Sequence, residues 1–145
     1  MKRISVVRLE LVRERNMMVE DKRITGPDVA FELLTKYIGS PDREHFAIMC
    51  LDNKNQVTCF HTVSVGTLNS AQVHPREVFK VAIISNSAAI ILGHNHPSGD
   101  PEPSHEDIEV TNRLVEAGQI LGIEVLDHIV GGDGKYISLK TKGLM

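Results

Sequence analysis

Hydrophobic and polar positions along this chain change period several times, and each change marks an element. Residues 3–14, RISVVRLELVRE, mix β-branched residues with charges and predict a strand at a sheet edge. TGPDVAFELLTKYIG then takes up a helical period. Thr25 suits an N-cap, Pro27 the first turn and Gly39 the C-terminal end, so a helix is predicted there. HFAIMCLD and QVTCFHTVSVG flank the turn-former DNKN and predict a β-hairpin. HPREVFKVAIISN predicts a second helix, with Pro75 near its start and Val78, Phe79, Ala82 and Ile83 on one face.

AAIILGH is a short apolar run, the pattern of a central strand covered on both faces. SHEDIEVTNRLVEAGQILG predicts a third helix, with Ile108, Thr111, Leu114, Val115, Gly118 and Leu121 in period and Gly122 closing it. IEVLDHIVGG and KYISLKTKG form a last hairpin around GGDG. The elements sum to an α/β domain, a mixed β-sheet flanked by about three helices. Residues 1–24 read as an N-terminal strand or extension and 25–145 as the domain, with no repeat or low-complexity tract.

Composition mainly excludes. A chain of 145 residues is long enough to bury a core as one domain without cross-links. Its net charge of −3 and the lack of a lysine or arginine run argue against a dedicated nucleic-acid surface. No apolar run approaches the roughly 18 residues of a membrane span. The N-terminal charges are interleaved, leaving no signal-peptide core, so the cytoplasm is the expected compartment. Cys50 and Cys59 are able to face each other across the hairpin, but two small buried thiols are the expectation.

The densest chemistry is HNHPSGDPEPSHED, residues 94–107, directly after the central strand. Side chains at i and i+2 leave a strand on one face, so His94 and His96 can reach one point. Pro97, Gly99, Pro101 and Pro103 turn the chain, Ser104 opens the third helix, and Asp107 lies in its first turn. Each piece has a plainer reading. Ser104-x-x-Asp107 resembles a capping box, a helix N-terminus favours a carboxylate, and histidines at strand ends commonly just hydrogen-bond. Together they point to a metal: two imidazoles, one carboxylate and a fourth position left to water describe a catalytic zinc site. His105 is a candidate extra ligand. The letters do not fit the patterns of HNH nucleases, metallo-β-lactamases or amidohydrolase barrels, by spacing in the first two and by chain length in the third.

H-x-H, ten residues, then Asp, with Pro after the second His and Ser three before the Asp, resembles the JAMM motif of the MPN+ metallopeptidases. GTLNSAQVHPREVFKVAI, HNHPSGDPEPSHED and LDHIVGG resemble the bacterial RadC-like branch of that superfamily, over about residue 25 to the C-terminus. The resemblance implies a JAB/MPN, cytidine-deaminase-like architecture. It also implies Zn²⁺ on His94, His96 and Asp107, with Ser104 orienting the water or donating to the oxyanion. It implies too a glutamate general base near the start of an early strand, here Glu44, with Glu77 as runner-up. Longer RadC-like proteins carry an N-terminal helix-hairpin-helix region, for which about 25 upstream residues leave no room, so a short form is expected. Asp127, next to His128, is a candidate acceptor for the free N–H of a metal-bound imidazole; alternatively the pair simply ends a strand. His74 before Pro75 is read as opening a helix, with a binding role open, and His61 is unassigned.

The implied activity is a zinc-dependent peptidase or isopeptidase acting on a peptide or protein substrate. The alternative is a non-enzymatic DNA-repair or recombination accessory, as the family's traditional name suggests, though the charge does not support DNA. A scaffold that has lost catalysis ranks last, because the three ligands are all present.

Overall fold

A computed structural model describes residues 1–66 and 73–145, so the TLNSAQ part of the family-like segment lies outside the described residues. In chain order the elements are α1 (Pro27–Ile38), β1 (His45–Leu51), β2 (Val57–Val65), α2 (Pro75–Ile84), β3 (Ala89–Asn95), α3 (His105–Leu121), β4 (Glu124–Gly132) and β5 (Lys135–Ser138). The strands form one sheet in the order β2-β1-β3-β4-β5. All neighbours are antiparallel except β3 and β4, which are parallel and need the long crossover that α3 supplies.

β3 lies at the centre, and its alternation builds a core on each face. Ile90 and Leu92 pack with Val78 and Phe79 of α2 and with Val110 and Leu114 of α3. Ala89 and Ile91 pack on the other face with Ala30, Leu33 and Leu34 of α1. Gly93 points to the α1 face, where an added Cβ would sit 2.5 Å from Leu34 Cδ1, so the missing side chain is what lets α1 approach the strand. The β4–β5 turn holds Asp133 at φ 49° and Gly134 at φ 73°, the two positive values of a type I′ hairpin.

Several local expectations are corrected. Residues 3–14 are not a strand: the upstream chain makes one isolated bridge, Arg23 to Gln56, and Val6 is 100% exposed. A strand exists only through its partner, and this segment meets none. The α1 N-cap is Gly26 rather than Thr25, because Pro27 takes the first helical position and fixes the residue before it as the cap. Leu121 and Ile83 turn outward, 47% and 52% exposed, and Val110 fills the α3 face instead. The last strand ends at Ser138, where Thr141 and Lys142 turn back onto Ser138 Oγ and its carbonyl. His74 does open α2: its Nδ1 accepts the Arg76 N–H at 3.1 Å.

Candidate metal centre

Register explains how distant residues meet. In the antiparallel β1–β3 pair Phe46 faces His94 and Ala47 faces Gly93. Continued one pair along the same face, beyond the ends of the two strands, this register would bring Glu44 opposite His96. The Glu44 carboxylate duly lies 3.9 Å from His96 Nε2. Asn95 fastens this end of the sheet, since its Oδ1 accepts the His45 N–H at 2.7 Å and its Nδ2 donates to the Arg43 carbonyl at 3.1 Å. Gly66 N–H donates to the Glu44 carbonyl at 2.8 Å, so the backbone around Glu44 is held on three sides.

α3 delivers the carboxylate. Ser104 caps it in a full capping box: Ser104 Oγ accepts the Asp107 N–H at 3.1 Å, and Ser104 N–H donates to Asp107 Oδ2 at 2.8 Å. The cap and the site therefore share one residue, and the cap aims Asp107 inward. Its Oδ1 lies 3.4 Å from His94 Nε2 and its Oδ2 3.3 Å from His96 Nε2, while the two Nε2 atoms are 2.9 Å apart. Ligands at about 2.0–2.1 Å around a tetrahedral ion stand roughly 3.3 Å from one another, so these spacings fit Zn²⁺.

The hydrogen bonds behind the cluster fix the tautomers. Thr111 O–H donates to the Asp107 carbonyl at 2.7 Å, which leaves its oxygen to accept His128 Nδ1–H at 2.6 Å. His128 Nε2 then accepts from His94 Nδ1–H at 2.8 Å, and His96 Nδ1–H donates to the Asp100 carbonyl at 2.7 Å. Both Nε2 lone pairs are thereby turned toward the Asp107 carboxylate. Two lone pairs and an anion at this separation repel unless a cation or proton lies between them, which is the donor set a divalent metal requires.

Electrostatics follow from this packing. Burial alone would raise the Asp107 pKa, but once a proton occupies the Nε2 atoms of His94 and His96 their hydrogen bonds and charge, with the Ser104 N–H, hold it well below the carboxylate range. His96 is raised, chiefly by the hydrogen bond to Asp107 against the opposing effect of burial, with the Asp100 carbonyl and Glu44 adding. His128 is pushed down by complete burial and by His94, which favours the neutral imidazole the relay needs.

The partner of His94 is thus His128, and of the two readings the sequence left open for Asp127 the one that makes it the acceptor for a ligand imidazole does not hold. Asp127 Oδ1 accepts the His128 and Lys140 N–H groups, and its Oδ2 accepts the Ser138 hydroxyl at 2.6 Å, tying β4 to the chain after β5. The available clue was a histidine inside the apolar run VLDHIVGG, a buried polar group that must find a bond. Thr111 and Asn95 gave no such sign. Glu77 is engaged by Lys80 Nζ at 2.6 Å on the exposed start of α2, and His105 pairs with Glu109 on the solvent side of α3. His61 is an exposed residue of β2. Beside the cluster opens a cleft of about 510 Å³, bounded by Leu34 and Ile38 of α1, His94, His96, and Gly131 and Asp133 of the β4–β5 hairpin.

Fold and site together define a mixed-sheet α/β domain whose central strand and following helix present a His-x-His and Asp cluster of metal-ligating type. The chain belongs to the RadC-like JAB domain family, whose model matches residues 24–144. It is 54% identical over 139 residues to a UPF0758 protein of Desulforamulus reducens, covering 94% of this chain and 61% of that protein. A UPF0758 protein of Caldanaerobacter subterraneus is 54% identical over 124 residues, 86% of this chain and 53% of its own length. One from Methanosarcina barkeri is 47% identical over 138 residues, 94% and 60% respectively. The chain spans between about half and three fifths of these relatives.

Proposed function

We propose that this domain is a zinc-dependent hydrolase of the JAMM type that cleaves amide bonds in peptide or isopeptide substrates. One observation carries the reading: a carboxylate, Glu44, stands 3.9 Å from His96 at the rim of the His94, His96 and Asp107 cluster. Zn²⁺ held by those three side chains would supply Lewis acidity for a carbonyl and a water acidified toward neutral pH.

The chain's own residues have separate tasks. Glu44 is partly exposed, its side chain at 29%, so it can take a proton from water and return it to a leaving amine in the adjoining cleft. The backbone bonds on either side of Glu44 fix where its side chain starts, at the rim of the cluster beside His96. Ser104 uses its oxygen to accept the Asp107 N–H, which leaves its hydroxyl proton to donate to an anionic oxygen in the transition state. His128 and Thr111 hold His94 in the tautomer whose Nε2 faces the site.

Elemental analysis and turnover of a peptide library by the purified chain test this. The native protein is expected to hold about one zinc per chain. His94→Ala and Asp107→Ala should lose it together with turnover. Glu44→Gln should keep the zinc and lose on the order of 10²-fold or more in rate, the usual contribution of general base catalysis. Native turnover in Glu44→Gln would remove Glu44 from the reaction, and a native protein that takes up no zinc when offered it would remove the metal.

A further inference from the structure

The chain ahead of α1 carries half of a strand pairing, and β2 carries the other half. At residues 22–24 the chain runs antiparallel to β2's leading end: Arg23 pairs with Gln56, Ile24 N–H donates to the Asn55 carbonyl and Val57 N–H to the Lys22 carbonyl, both at 2.9 Å. In this register each step back on one strand is a step forward on the other. Its continuation would lay residues 15–21 along residues 58–64, the outer edge of β2.

The chain leaves that path. Val19 packs into the core beneath α1, Lys36 Nζ donates to the Met18 carbonyl, and the Arg15 guanidinium lies 5.6 Å over the Tyr37 ring. These contacts draw residues 15–19 onto α1 and away from the sheet. From Thr58 onward the outer edge of β2 consequently has no backbone partner among the described residues, and β2 is the end strand of the sheet. Residues 3–14 meanwhile stand clear of the domain. Ile4 is 92%, Val7 79%, Leu9 77% and Val12 82% exposed. Val7, Leu9 and Leu11 alternate onto one face, with Arg8 and Glu10 on the other.

Both halves are costly in water: an apolar arm, and a neutral edge whose residues VTCFHTVSV include no Asp, Glu, Lys or Arg to deter pairing. The arm's 12 residues are enough to span the 9 of β2, and its own anchorage on α1 diverts it from its own edge. We infer that residues 3–14 of one copy pair along the outer edge of β2 in a second copy, reciprocally, to make a two-fold dimer. Each edge is then covered, and one apolar side of each arm extends a face of the partner's sheet.

Sedimentation velocity on the full chain tests this, with a Val7→Pro/Leu9→Pro double variant that deletes two arm N–H donors. The native chain is expected at twice its 16.1 kDa and the variant at 16.1 kDa. The helical circular dichroism signal should match between the two, because the substituted side chains are free of the domain and only the strand content of the paired arm is lost. A photocrosslinker at position 9 should mark residues 57–65 of the other copy. A native monomer at all concentrations, a variant that dimerises as tightly as native, or a crosslink to any other element would each overturn the arm exchange.

Discussion

Removing the His128 imidazole would leave His94 Nδ1–H buried without an acceptor and release the ring from its orientation. His128→Ala is therefore expected to weaken zinc binding by about 10- to 100-fold while leaving all three ligands in place. A chelator-competition titration reads this, and unchanged affinity would mean that the relay does not orient His94. Protons compete for the same nitrogens. Asp107 stays ionised on acidification because its pKa is depressed, whereas His96, with its raised pKa, gains a proton first as the pH falls. Zinc affinity should accordingly fall with acid, by about tenfold per pH unit for each proton displaced, and be regained on returning to alkaline pH. An affinity flat across that range would contradict the assignment of His96. The two cysteines offer an independent check of electrostatics. Both are free thiols, paired directly across β1 and β2. The hydrogen bond from Cys50 holds the Cys59 thiol below the ordinary thiol range despite partial burial, with Ser85 and Thr58 assisting, while that pairing and burial push Cys50 up. Iodoacetamide at neutral pH should alkylate the half-buried Cys59 and spare Cys50, as mass spectrometry of the digest will report.

Elements depend on close approaches that single methyl groups can spoil. Gly93→Ala places its Cβ against Leu34, and overpacking of this kind costs about 1–3 kcal/mol, which chemical denaturation resolves. Gly118→Ala should cost more than Gly93→Ala, because its Cβ would meet the backbone oxygen of Ile123 at the end of α3 rather than a side chain able to shift. Equal stability of the two variants and the native protein would show that α1 and α3 have room to move. Elements whose determinants are local were legible in the sequence. α3 announces itself through Ser104, Asp107, a helical period and Gly122, and β3 through an unbroken apolar run. The strand expected at residues 3–14 was not real within one chain, since a strand's partner lies outside its own letters. For the same reason His94, His96 and Asp107 could be proposed from spacing, whereas the relay through His128 and Thr111 depends on how β4 and α3 dock. Glu44 needed the family resemblance, and the β1–β3 register supplies the physical reason it stands opposite His96.

At the scale of the whole molecule, zinc held as proposed by the folded state alone would stabilise it. A free zinc concentration 100-fold above Kd adds about 2.7 kcal/mol, which a thermal melt will register as a rise of several degrees. His94→Ala should show no such rise, and an equal rise in both would assign the effect to binding elsewhere. The sheet order β2-β1-β3-β4-β5 has a consequence for assembly in time. The three ligands lie within residues 94–107, on one strand and the start of the next helix, whereas Glu44 joins them from across a 52-residue separation to His96. Closing the longer loop costs roughly 1 kcal/mol more chain entropy than closing the shorter. The side chains of the His94, His96 and Asp107 cluster are therefore gathered at lower entropic cost than the carboxylate of Glu44, whose place beside them waits on the pairing of β1 with β3.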